Sequence, residues 1–365
     1  MKYSNRLYQI ALTQLFGFGP KKTKQLLHAV TSITEIFETS LTELSVLTGF
    51  SVEILTKMNR TAALCIAEDI LNQLVKNNIG IIFYTDEQYP RRLKQCEDSP
   101  LVLYTKGSLE LNDAKFVAVV GTRDASEYGK RICNELISQF KGENLVVVSG
   151  MAYGIDIYVH QLCIQNEVPT IGVMAHGLDI VYPSLHRGVA KKMLNDGGLI
   201  SEYPPGTNPD KEHFPMRNRI VAGLCDATIV VESKAKGGSL ITASLANDYN
   251  RDVFAFPGNV FEPNSEGCNN LIAENQAHLI TCGKDFIDKM GWNLSVKHAV
   301  QKPLFPSLTD EELSIVTRLQ KKGIMNIDVL STELKIPSSK LSVLLFQLEM
   351  NGVVATIPGN RCQLV

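Results

Sequence analysis

The stretch LVVVSGMAYGID, residues 145–156, is a β-branched run that ends at Ser149 and passes through two glycines into the start of a helix. A strand that is apolar at every position must be covered on both faces, the situation of a parallel sheet with helices above and below it. The same texture recurs outward in both directions, at IIFYT (81–85), FVAVV (116–120), TIGVM (170–174), LIS (199–201), ATIVV (227–231) and VFAFP (253–257). Amphipathic stretches of about 10 to 15 residues separate most of these runs. Residues 79–290 are therefore expected to form an α/β domain built on a doubly wound parallel sheet.

On either side the pattern changes. Residues 1–75 carry apolar side chains at helical spacing, broken at Gly17-Phe18-Gly19-Pro20 and near Gly49, which predicts a small helical domain. Residues 291–308 contain Pro303 and Pro306 and read as a linker, after which Thr309 is placed to cap a helix. From 309 to 365, three helical patterns and two short strands about a Pro-Gly-Asn turn predict a winged helix. The 365 residues leave room for three such pieces, and 44% hydrophobic with 20% charged residues is an ordinary soluble composition. No apolar run approaches the roughly 18 residues of a spanning helix, and the first residues lack a signal-peptide core, so the expectation is a cytoplasmic protein without a membrane segment. Eight scattered cysteines with no Cys-x-x-Cys pair indicate neither a disulfide framework nor a zinc ribbon.

The formal net charge of -2 argues against coating duplex DNA through bulk charge. Charge is uneven, however: residues 1–34 hold Lys2, Arg6, Lys21, Lys22 and Lys24 and no acid. In a doubly wound sheet ligands bind beyond the carboxyl ends of the strands, so the residues that follow each run are the candidates for function. After FVAVV come Gly121, Thr122 and Arg123, a tight turn with a cation at the strand tip. After LVVVS, Asp156 and His160 stand one helical turn apart, either as a structural pair or as an acid–base or metal pair; the spacing fixes no metal geometry, even with His176 and Asp179 from the next tip.

The segment HFPMRNRIVAG (213–223) is the most cationic of these tips. Pro215 suits the first turn of a helix running to about Leu224, which puts Arg217, Asn218 and Arg219 in that turn. Cations there lose roughly 0.3–1 kcal/mol each against the helix dipole unless an anion arrives, so the arginines are read as waiting for phosphate. Phe214 offers a face on which a base stacks, worth about 1–3 kcal/mol. The plainer alternative makes Phe214 core and the arginines ion-pair partners. After ATIVV, Gly237, Gly238 and Ser239 open a helix whose amides suit an anion, with Lys234 and Lys236 beside them. No P-loop and no nucleophile elbow is present, and no residue set pairs a nucleophile with its base.

Taken in order, GTR (121–123), SGMAYGID (149–156), GLDIVYP (177–183), FPMRNRIVAGL (214–224), VVESKAKGGSLITA (230–243) and FPGN (256–259) resemble the DNA-processing protein A family, DprA or Smf; YPRRL (89–93) and GCNNLI (267–272) are similar too. The resemblance implies an extended Rossmann fold and a single-stranded DNA-binding protein that protects incoming DNA during natural transformation and helps load the RecA recombinase. It further implies a homodimer with no cofactor and no catalytic activity. Carried over by position, the DNA site comprises Arg123, Lys211, Phe214, Arg217, Asn218 and Arg219, with the turn Gly237, Gly238 and Ser239 alongside. Gly237 stands where the family commonly has serine, and His186 where it commonly has asparagine.

The flanks resemble the family less closely. Phe16 to Lys22 looks like the hairpin of a helix-hairpin-helix (SAM-like) module able to hold a phosphate, or simply a turn between packed helices. Residues 309–365 hold six acids and six bases, with Lys340 the sole cation of the third helix, so a protein-binding or packing role stands beside nucleic-acid binding. The rival from another class is a nucleotide-binding or nucleoside-phosphate-hydrolysing enzyme using Glu202 and Glu232 as acid and base. A third reading is an architectural partner of recombinase with no affinity for DNA.

Overall fold

Phe116, Ala118 and Val120 bury toward one set of helices while Val117 and Val119 bury toward another, which is why every position of that run had to be apolar. The computed structural model describes residues 5–108, 110–292, 308–350, 353–357 and 359–364. They fall into two units, Met1–Leu294 and Ser295–Val365. The linker expected at 291–308 lies almost wholly outside the described residues.

The first unit begins with six helices, α1 Asn5–Thr13, α2 Pro20–Ala29, α3 Glu35–Glu38, α4 Leu41–Thr48, α5 Val52–Lys57 and α6 Arg60–Lys76. The sheet follows: β1 Gly80–Phe83, α7 Arg91–Lys94, β2 Val102–Gly107, β3 Lys115–Val120, α8 Glu127–Gln139, β4 Leu145–Ser149, α9 Ile155–Asn166, β5 Thr170–Met174, α10 Arg187–Met193, β6 Gly198–Ser201, α11 His213–Leu224, β7 Ala227–Val230, α12 Gly238–Asp248, β8 Asp252–Ala255, α13 Pro263–Ala273, β9 His278–Leu279 and α14 Gly283–Lys289. The strand order is β1-β2-β6-β5-β4-β3-β7-β8-β9, parallel from β6 to β9. The chain leaves β3 to build β4, β5 and β6 on one side and then returns to its other side with β7, so the switch point lies between β3 and β7.

The structure adds two features to these expectations. The sheet carries an antiparallel extension, β1 and β2, in which Val102–Gly107 is a strand additional to the runs read from the sequence. The N-terminal helices also share one core with the sheet: Leu7, Ile10, Leu12 and Leu74 pack with Val102, Tyr104, Met174 and Leu199. Polar contacts reinforce this seam, with Arg6 paired to Asp86 at 2.6 Å and the Lys24 ammonium donating to the Ser99 hydroxyl at 2.7 Å and the Glu97 carbonyl at 2.9 Å.

The second unit has its own core of Ile315, Leu319, Leu330, Leu341, Leu345, Leu348 and Cys362. It comprises α15 Asp310–Lys322, β10 Met325–Asn326, α16 Ile327–Leu334, α17 Ser338–Met350, β11 Val354–Ile357 and β12 Arg361–Leu364, in the sheet order β10-β12-β11. Thr309 and Glu312 form a reciprocal capping box at the start of α15, the helix start expected there. This is the winged-helix order. On α17, Lys340 is paired with Glu311 and the Glu349 carboxylate accepts from Thr356, while Val343, Phe346 and Met350 are exposed.

Candidate functional site

At the switch point the loops after β3, β4 and β7 and the start of α11 enclose a cleft of about 620 Å³. Arg123 reaches it from the β3 loop. That loop is held by backbone bonds from Thr122 to Glu232 at 2.8 Å and from Ile155 to Thr122 at 3.1 Å. Gly154, at φ 76°, passes so close that a Cβ would collide with the backbone of Thr122 and Arg123. A short turn therefore fixes the arginine's base while its head stays exposed.

The Arg123 guanidinium lies 5.9 Å from the centroid of the Phe214 ring, and Tyr182 approaches the same ring at 6.2 Å. Lys211, Lys234 and Lys236 complete the rim. All three lysines and Arg123 are exposed, and none forms an ion pair among the described residues. Helix α12 begins in the cleft wall with no side-chain cap and no acid in its first turn, leaving its positive end facing the cleft. The Ser239 hydroxyl donates to Ser233, so what this turn offers the cleft is backbone. Tyr153 and Tyr182, about half exposed, also line the cleft and are absent from the sequence-derived set. Both sit in strand-tip motifs, SGMAYGID and GLDIVYP, where an aromatic in a loop was the available signal.

Arg217, Asn218 and Arg219 are not in the first turn. Helix α11 starts at His213, two residues before Pro215, so the three lie in its second turn. Arg217 is buried beneath the cleft floor: its Nη1 donates to the carbonyls of Gly150 and Val173, at the ends of β4 and β5, and its Nε to Asn218 at 3.2 Å. A Cβ on Gly150 would collide with this guanidinium. The guanidinium is already engaged by these acceptors, and the buried Asp156, which lines the same cleft and accepts from the amides of Gly150 at 3.1 Å and Ala152 at 3.4 Å, adds a favourable electrostatic influence. Burial pushes the Asp156 carboxyl up, opposed by Arg217 and those amides. Arg219 is directed elsewhere, pairing with the partly exposed Glu202 and donating to the Asp98 carbonyl, and it is not among the residues that line the cleft. The structure thus brings together Arg123, Lys211, Phe214, Arg217, Asn218, Gly237, Gly238 and Ser239, and leaves out Arg219.

The other polar candidates are structural. His160 bonds Thr170 at 2.7 Å rather than Asp156, and burial pushes it down to about 3. Glu232 is buried and accepts from the amide and hydroxyl of Ser126 at the start of α8; with Glu202 held by Arg219, neither glutamate of the hydrolase alternative lines the cleft. Among the described residues no cluster of His, Cys, Asp or Glu suits a metal ion.

Residues 80–291 match the family model for DNA recombination-mediator protein A, and 300–360 that for the DprA winged helix domain. The chain belongs to the DNA recombination-mediator protein A family. It is 44% identical to the DNA processing protein DprA of Streptococcus pneumoniae over 202 residues, 55% of this chain and 71% of that protein. Against Protein Smf of Synechocystis it is 32% identical over 295 residues, 80% of this chain and 74% of the relative. The X-ray structure of the S. pneumoniae DprA superposes with a TM-score of 0.68 at 34% identity, covering 79% of this chain and 99% of that one. A DprA structure from Helicobacter pylori, described for its single-stranded DNA binding mode, matches with a TM-score of 0.53 at 30% identity over 58% of this chain and 95% of that one. As a member of the DprA family, the chain is assigned to DNA processing and recombination.

Proposed function

We propose that the cleft binds single-stranded DNA, with phosphates held by Arg123, Lys211, Lys234, Lys236 and the amides at the start of α12, and with a base on Phe214. The observation that carries this reading is the Arg123 guanidinium set over the Phe214 ring in a cleft rimmed by cations that form no ion pair among the described residues. A stacking face favours a strand whose bases are free, and the set of contacts carries no base-edge readout, so sequence preference is slight. The H. pylori relative, whose structure concerns single-stranded DNA binding, supports the same ligand. In this role the chain shields incoming single strands in the cytoplasm and passes them to the RecA recombinase during natural transformation, as a homodimer and without covalent chemistry or a cofactor.

Fluorescence anisotropy with single-stranded, duplex and mononucleotide ligands at two salt concentrations tests the reading. Arg123→Ala should weaken single-strand binding and reduce the salt slope by about 1. Unchanged affinity and slope in that variant reject the cleft as the site. Recombinase filament growth on a single strand, measured with and without the chain, tests the transfer.

A further inference from the structure

Phe261 is 89% exposed and Val260 beside it 77%, at the tip of the loop between β8 and α13. Single exposed apolar residues are common on protein surfaces, but the backbone of this tip is pinned by side-chain hydrogen bonds. The Asn259 side chain accepts from the Phe261 amide at 3.0 Å. Behind it, the Asn269 side chain both accepts from and donates to the backbone of Gly258, each at 3.1 Å. The loop is also tied to the two loops that carry the cleft's cations. Asn264 donates to the Asp124 carbonyl, next to Arg123, at 2.9 Å, and its own carbonyl accepts from the Ser233 amide, next to Lys234, at 2.7 Å. An exposed aromatic therefore projects into solvent from a pinned loop whose following helix, α13, is tied through Asn264 to the loops beside the cleft.

We infer that Phe261 is a second stacking platform, taking a base of the same strand after it leaves the cleft on the Lys234 side. This rests on the reading of the cleft given above. The charges around the tip specify the kind of contact: Asp124, Glu262 and Glu266 are exposed acids, which disfavour phosphate, so the contact runs through a base and not through the backbone. It follows that Phe261 adds affinity only for strands long enough to reach it, and adds none of the salt dependence.

The test uses the full chain and two oligothymidylates, of about 5 and about 15 nucleotides, bracketing common single-strand site sizes. Phe261→Ala should bind the short strand as the wild type does and the long strand roughly tenfold more weakly, within the range of one base–aromatic stack. The slope of affinity against salt should be unchanged, and Phe261→Trp should restore the long-strand affinity. Equal affinity of Phe261→Ala and wild type for the long strand overturns the inference and leaves the apolar tip to a protein partner with basic surroundings. A wild-type chain that binds neither strand refutes the cleft itself, and is distinguished from failure of Phe261 by that result.

Discussion

Replacing Arg217 with alanine should unfold the sheet unit more readily, whereas the same change at Arg123 should leave it standing. In the folded chain Arg217 donates to two carbonyls at the tips of β4 and β5 and faces the buried Asp156. Hydrogen bonds to a charged group contribute roughly 1.5–3 kcal/mol each, and Arg217→Ala removes two of them to backbone carbonyls. The expected loss for Arg217→Ala is therefore about 3–6 kcal/mol, a large share of the roughly 5–15 kcal/mol that typically separates folded from unfolded domains. Exposed Arg123, which forms no ion pair among the described residues, should change stability by no more than about 0.5 kcal/mol when replaced by alanine. Trp292, the single tryptophan, packs edge-on against Phe286 in the first unit, so its fluorescence during urea unfolding follows that unit and not the winged helix. A lost strand affinity in Arg217→Ala with an unchanged urea midpoint would refute the assignment of Arg217 to the framework.

Gly150→Ala should lower the urea midpoint of the same unit, since its Cβ would displace the Arg217 guanidinium from both carbonyls. Tyr182→Ala and Tyr153→Ala should each weaken single-strand binding in the anisotropy assay by up to roughly tenfold, with little effect on unfolding, because both rings are half exposed in the cleft wall. His160 gives a pH signature. The unfolded chain takes up its proton near 6.5 and the folded chain only near 3, so the stability this residue contributes is complete above about 6.5 and is lost as the pH falls toward 3. His160→Asn should accordingly lose less stability than wild type over that interval when urea midpoints are compared by pH. Finally, because each unit has its own core, a chain ending at Leu294 should show the same tryptophan-monitored midpoint as the full chain.

The parallel strands were legible because helices on both faces leave no position for a polar side chain, and the winged helix because capping at Thr309 and a terminal hairpin punctuate it. Other features were hidden by tertiary context. Val102–Gly107 ends in Thr105, Lys106 and Gly107, whose polarity suits its place in an antiparallel margin and masks it as a strand. Arg217 was misplaced because Pro215 marks a first turn that in fact begins at His213. Helical spacing contained the correction: Arg217 lies four residues before Val221 and seven before Leu224, on the stripe that faces the core. The rim of the cleft was readable one motif at a time, since Arg123, Phe214 and Lys234 each follow a strand end or precede a helix, but their convergence depends on the sheet reversing at β3.

The guanidinium bolted under the cleft floor also bears on speed. Arg217 ties the tips of two neighbouring strands to α11, the helix that presents Phe214, so the cleft wall is held in shape by the fold itself. On the proposed reading of the cleft, a receptor with its seats already set surrenders little conformational freedom on capture, and its encounter with a flexible polyanion would be governed by diffusion and by the steering field of the rim.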